Sequence, residues 1–275
     1  MAGATLAAGK LAIAQQGKGS ITAGEVVDRI KKNLGIPWND KTYRDTYKIG
    51  DPSMPVTGIV TTFGTNFSLM EKAIKAGANM IIPHEPTFWS DADLVDLVKD
   101  DPLYKYKLDY ATKNHMVVWR IHDHAHAHKP DFIMQGWNEG LKWVPYKMGN
   151  DRSWKLPPTT LDGLAKYLDK TLPSGTKSIR VIGDPKLPVT TAVIGRNLTS
   201  LTQDFDAVIC SDSREYECFE YSRDAVKAGV KRGYIYISHE AFEDVGMQAF
   251  ANWLKPLVPE VPVQYIPTTD EFWSV

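Results

Sequence analysis

The chain has 275 residues, 43% of them apolar and 24% charged, with a net charge of −1 at neutral pH. A chain of this length buries a real core without disulfides or a structural metal, and one with no block of like charge lacks the basic face that a nucleic-acid binder needs. No apolar run reaches the roughly 18 residues of a membrane span, and two cysteines, Cys210 and Cys218, read as small buried side chains rather than a disulfide framework.

Residues 2–16 (AGATLAAGKLAIAQQ) resemble the tail of an export signal ending in a small-x-small cleavage site, without the usual basic start. That reading implies an exported or periplasmic protein; the alternative is a disordered tail on a cytoplasmic one. Residues 1–19 are therefore set apart from the fold. Thr22–Leu34 opens with a cap-like Thr and a Glu three residues later, and spaces Val26, Val27 and Ile30 on one helical face. A turn-rich IPWND and a polar stretch to Pro55 follow. Thr57–Phe63 reads as a strand, and Phe67–Ala76 as an amphipathic helix closed by Gly77. The short strand Met80–Pro83 runs directly into His84-Glu85-Pro86. Residues 103–114 read as a helix, and the strand Met116–Ile121 runs into the histidine-rich tract 122–128 (HDHAHAH).

A second α/β unit follows, with the boundary placed at Pro157-Pro158. The first unit is thus 20–157 and the second 158–275. In the second, Leu161–Leu172, Ser213–Ala228 and His239–Trp253 read as helices. Ser178–Ile182, Val189–Ile194, Ala207–Cys210, Gly233–Ile237 and Val261–Ile266 read as strands. Strand–helix alternation implies an α/β fold of two units with mostly parallel or mixed sheets. In such sheets ligands bind outside the carboxyl ends of the strands.

Six of the seven histidines fall at three such places: His84, the 122–128 tract, and His239. Each feature alone has an ordinary explanation. A lone His at a strand end is usually a satisfied polar residue, HDHAHAH can be a surface metal-sticking tract, and a Glu near a helix start suits the dipole. Together at strand ends they point to a metal site between the two units. His239 and Glu243 at i and i+4 share a helix face, and His84-Glu85 adds one nitrogen and one oxygen donor. Were 122–128 extended, His122, His124, His126 and His128 would line one side.

The order IPWND, TGIVTTF, GANMIIPHEP, the histidine tract, DAVICSD and GYIYISHEAFE resembles the Nif-three-like (NGG-one-interacting factor three) family, often described as GTP cyclohydrolase type-1 family-2. The resemblance covers roughly residues 23–272. That family has His-His-Pro, an Asp four residues after a His, and Gly-His-x-x-x-Glu. Here these read His84-Glu85-Pro86, His122 with His126, and Ser238-His239 with Glu243. The resemblance implies a dinuclear centre ligated by His84, Glu85, His126, His239 and Glu243. Two positions depart from the pattern, yet three imidazoles and two carboxylates remain, so the two changes compensate in charge. Ser211-Asp212-Ser213 with Glu215, and Trp38-Asn39-Asp40, match polar family segments, although a helix cap and a turn explain them equally.

Such a donor set suits two divalent ions of Zn, Fe, Mn, Co or Ni, without choosing between them. Two ions leave positions open to a small-molecule substrate, which implies a metal-dependent hydrolase, with cyclohydrolase, phosphoester or amide chemistry within reach. His122 or His124 is then the candidate to move protons. The alternative is a metal-binding regulatory or metal-handling protein without turnover. The family also implies a homo-oligomer, a ring-like hexamer.

Overall fold

The computed structural model describes residues 21–173, 179–195, 198–211 and 215–268. The expected export segment therefore lies outside the described residues, as do Asp212 and Ser213.

The first half builds α1 (Ala23–Asn33), β1 (Tyr47–Ile49), β2 (Ile59–Thr62), α2 (Phe67–Lys75), β3 (Met80–Pro83), α3 (Pro102–Lys113), β4 (Val117–Trp119), α4 (Asp123–Ala127) and α5 (Phe132–Gly140). The second half builds β5 (Ser153–Thr160), α6 (Leu161–Thr171), β6 (Arg180–Ile182), β7 (Pro188–Ile194), α7 (Leu198–Thr202), β8 (Ala207–Ser211), α8 (Glu220–Lys227), β9 (Gly233–Ile237), α9 (His239–Leu254) and β10 (Val263–Tyr265). A π-helical turn, Glu215–Phe219, leads into α8.

The local signals explain most of these elements. α1 carries the full capping box: Glu25 N–H donates to Thr22 Oγ1 at 3.2 Å, and Thr22 N–H to Glu25 Oε2 at 2.8 Å. β2, β3 and β4 are buried on both faces, as parallel strands covered by helices must be. Gly77 and Gly229, both at positive φ, follow α2 and α8 where the sequence predicts helix stops.

Two mixed five-stranded sheets result, ordered β1-β4-β3-β2-β10 and β5-β7-β8-β9-β6. In the first, β10, β2, β3 and β4 are parallel and β1 is an antiparallel edge. In the second, β7, β8 and β9 are parallel between two antiparallel edges. The last strand thus returns to pair with β2, so the first sheet takes chain from both ends of the sequence. Pro157-Pro158 lies inside β5, where the register shifts between Lys155 and Thr159. An edge strand with a shift is where a sheet tolerates residues that cannot donate.

Helix α9 joins the two cores. Its first half (Ala241, Phe242, Val245) packs in the core of the second sheet, and its second half (Met247, Phe250, Leu254) in that of the first. It packs closely on α5. A Cβ at Gly136 would sit 2.2 Å from the Val245 carbonyl oxygen, and one at Gly246 would sit 2.7 Å from Ile133 Cα. Only glycine at both points permits this close approach of α9 to α5. Cys210 and Cys218 are free and buried.

Candidate metal centre

The strand ends converge as the alternation predicts. Thr62 pairs with Pro83 in the parallel β2–β3 ladder, so His84 leaves the sheet at its carboxyl edge. His122 leaves the same edge after β4, and His239 opens α9 directly after β9, capped by Ser238.

The tract 122–128 is not extended but helical, which corrects the expectation that four histidines share one face. A carboxylate far away in sequence causes this. Asp45 Oδ1 accepts the N–H groups of His122 at 2.6 Å and Asp123 at 3.1 Å, and Oδ2 accepts that of His124 at 2.9 Å. These are the free donors of a first helical turn, and an anion there also suits the dipole. On the helix, His122 and His126 share a face and turn toward His84. His124 turns away. Its Nδ1 pairs with Asp45, its Nε2 accepts from Asn39 N–H at 2.9 Å, and its ring stacks 3.6 Å from Trp38. His128 also leaves the cluster, stacking on Phe132 and donating to the Pro130 carbonyl. The segment Trp38-Asn39 is therefore the seat of His124.

Six side chains meet. Glu243 Oε2 lies 3.3 Å from His84 Nε2 and 2.8 Å from His239 Nε2. Glu85 Oε1 lies 3.6 Å from both His239 Nε2 and His122 Nε2. His122 stacks on His84 with centroids 4.6 Å apart, and His126 stands edge-on to both rings at 4.9 Å. The two carboxylates thus bridge His239 to His84 and His122, which stack on each other. Outer contacts fix which nitrogen faces in. His84 Nδ1 meets the Ile121 carbonyl at 3.0 Å, His122 Nδ1 meets Asp123 at 3.0 Å, and His126 Nδ1 meets Asp131 at 3.1 Å. Metal-ligating imidazoles are held in this way.

The donor atoms of His84, His122 and His126 lie mutually within 4.8 Å, as do those of His84, Glu85 and Glu243 and those of Glu85, Asp91 and His122. These groups could hold a metal ion. His84 Nε2 and Glu243 Oε2 are shielded from solvent yet make no aligned hydrogen bond. Buried polar atoms left this way are costly, and a cation between them satisfies both. The electrostatics agree. Burial works against charge on His84, but Glu243 beside it raises its pKa overall. Burial likewise opposes charge on Glu243, yet His239 and His84 hold it well below the carboxylate range. Burial, reinforced by His84, pushes His122 down to about 4, and burial raises Glu85.

One residue the sequence reading passed over holds the site's frame. Arg120 is fully buried. Its Nη2 donates to Glu85 Oε2 at 2.9 Å and to Asp91 Oδ1 at 3.3 Å, its Nε to the His84 carbonyl at 2.9 Å, and its Nη1 to the Asp91 carbonyl. Glu85 is thereby neutralised on one oxygen and presents the other to the imidazoles. A charged residue inside the apolar run VVWRI was the available signal. A cleft of about 1370 Å³ opens over the cluster and runs between the two sheets.

The fold and the donor cluster together define an α/β protein with a candidate His/Glu metal centre between two mixed sheets. The sequence matches the Duf34/NIF3 (NGG1p interacting factor 3) family over residues 21–271, and the chain belongs to that family. Its fold is similar to that of Staphylococcus aureus hypothetical protein SA1388, at 14% identity and TM-score 0.68, covering 94% of this chain and 100% of the other. It is also similar to a Bacillus cereus protein related to NIF3, at 13% identity and TM-score 0.68, covering 93% and 99%. Reduced HcgD from Methanocaldococcus jannaschii is similar at 14% identity and TM-score 0.54, covering 92% and 99%. No curated protein matches the chain.

Proposed function

We propose that the protein binds two divalent metal ions and acts as a metal-dependent hydrolase. The observation that carries this reading is the cluster of imidazole and carboxylate donors around the buried His84, which is common to two of the three candidate ligand groups and whose Nε2 is left without a hydrogen bond. His84, Glu85, His126, His239 and Glu243 are the proposed ligands. Two divalent ions bound there supply Lewis acidity and lower the pKa of water. Zn, Fe, Mn, Co and Ni all suit mixed nitrogen and oxygen donors.

The protein's own groups then have distinct tasks. Asp131 and the Ile121 carbonyl orient His126 and His84. Arg120 holds Glu85 by one oxygen. His122, with its pKa near 4, is neutral at physiological pH, and its Nδ1 contact with Asp123 leaves Nε2 facing the cluster as a proton acceptor. His124 has both ring nitrogens engaged elsewhere, so its task is to hold α4 in place.

His239→Ala tests the reading. Its side chain sits at the mouth of the site, so circular dichroism and melting temperature should stay near wild type. Bound metal, and hydrolysis of a phosphoester, nucleotide and amide panel, should fall together. Loss of folding in step with loss of metal would show a structural ion instead. Flat activity in the metal-loaded wild type across the whole panel would favour the binding protein without turnover.

A further inference from the structure

The proposed ligands His84 and Glu85 follow β3 and lie outside any helix or strand, so their geometry depends on what fastens their loop. Part of the hold is backbone. Phe63, just after β2, accepts the N–H groups of His84 at 3.0 Å and Glu85 at 2.7 Å on its carbonyl, and its ring stands edge-on to His239 at 5.4 Å. Beyond Glu85, the N–H groups of Thr87 and Phe88 donate to Asp93 at 3.0 and 2.7 Å. The Thr87 carbonyl accepts from Lys107 Nζ on α3. The same Nζ donates to the carbonyl of Thr65, two residues beyond Phe63. One ammonium thus ties the loop after β2 to the loop after β3.

A lysine is costly at this place. Burial pushes its pKa down to about 8, although the Asp93 carboxylate pulls the other way. A buried cation loses hydration that its new contacts have to replace. The two carbonyls do so, together with the Phe88 ring, whose centroid lies 5.6 Å from Nζ. Hydrogen bonds from a charged donor are the stronger kind. Helix α3 has other anchors. Ala111 is buried, Tyr104 packs on Phe88, and Tyr106 and Tyr110 pack on Phe67. The lysine's bonds are therefore spent on the two loops, and they act on the donor cluster through Thr65 and Thr87.

We propose that Lys107 is a positioning residue of the metal centre, clamping the Thr65 and Thr87 carbonyls so that His84 and Glu85 keep the geometry that receives an ion. The proposal rests on the reading of His84 and Glu85 as metal ligands. Lys107→Met removes the donor while keeping much of the side chain's length and bulk.

Two measurements on the full chain test it: backbone hydrogen exchange of metal-stripped protein, and manganese affinity by chelator competition. In Lys107→Met the amides of His84 and Glu85 should exchange about tenfold faster than in wild type, and manganese should bind about tenfold more weakly. The amides of α3 should exchange as in wild type. Lys107→Gln keeps one neutral donor and should fall between the two, and it carries the comparison alone if Lys107→Met does not fold. Unchanged exchange at His84 and Glu85, or a manganese affinity within about twofold of wild type, in a folded variant would overturn the proposal. So would faster exchange confined to α3, which would show that the lysine only holds its own helix. The two readings fail separately. A wild type that takes up no manganese, with His84 and Glu85 still exchanging faster in the variant, would sink the two-ion centre and leave the loop clamp standing. Full manganese uptake, with affinity and exchange both indifferent to Lys107, would do the reverse.

Discussion

Arg120→Met should be the most damaging substitution in the molecule for its size. Methionine fills much of the same space, so the loss is of hydrogen bonds and charge. The Glu85 carboxylate, the His84 carbonyl and the Asp91 carbonyl would each lose a buried donor. Breaking a buried pair by removing one partner costs about 3–5 kcal/mol, which lowers the melting temperature by roughly 10 °C in a chain of this size. Metal binding should fall as well, since Glu85 would no longer be fixed with one oxygen toward His122 and His239. Arg120→Lys should recover part of the stability but not the fork that spans Glu85 and Asp91. Thermal melts with metal analysis decide the matter. A melting temperature and metal content unchanged in Arg120→Met would mean that the guanidinium does not organise the site.

His84→Ala should remove most of the bound metal, because His84 is fully buried and belongs to two of the three donor groups of the centre. The other proposed ligands predict partial loss, so the contrast between His84→Ala and Glu243→Gln is informative. Some instability is expected too. The imidazole is fully buried, and its removal leaves a cavity and frees the Ile121 carbonyl, at about 2–4 kcal/mol by analogy with other large-to-small core changes. Elemental analysis beside denaturant unfolding separates the two effects. Wild-type metal content in a folded His84→Ala protein would remove His84 from the centre.

The sequence made the site's chain positions legible because strand ends are local features. Met80–Pro83 and Gly233–Ile237 are apolar runs bounded by polar residues, and the structure has strands over the same residues. The donors follow them directly. What escaped was set by distant contacts. The helical turn of 123–127 depends on Asp45, about eighty residues earlier in the chain, and no local pattern in HDHAHAH announces it. The edge strands β1 and β5 were hidden by polar composition and by Pro157-Pro158, and α5 by its length of a few turns. The return of β10 to the first sheet follows from α9 crossing both cores, which needs the paired glycines at 136 and 246. The charge argument was also incomplete. Glu85 and His126 compensate each other in a count of ligands, yet in the fold the nearest answer to the Glu85 charge is Arg120.

The two-ion centre is tested most directly by metal content. Protein purified without a histidine tag, stripped and then reconstituted, should hold two divalent ions per chain by elemental analysis. One ion per chain, or none, after reconstitution of a folded protein would contradict the account.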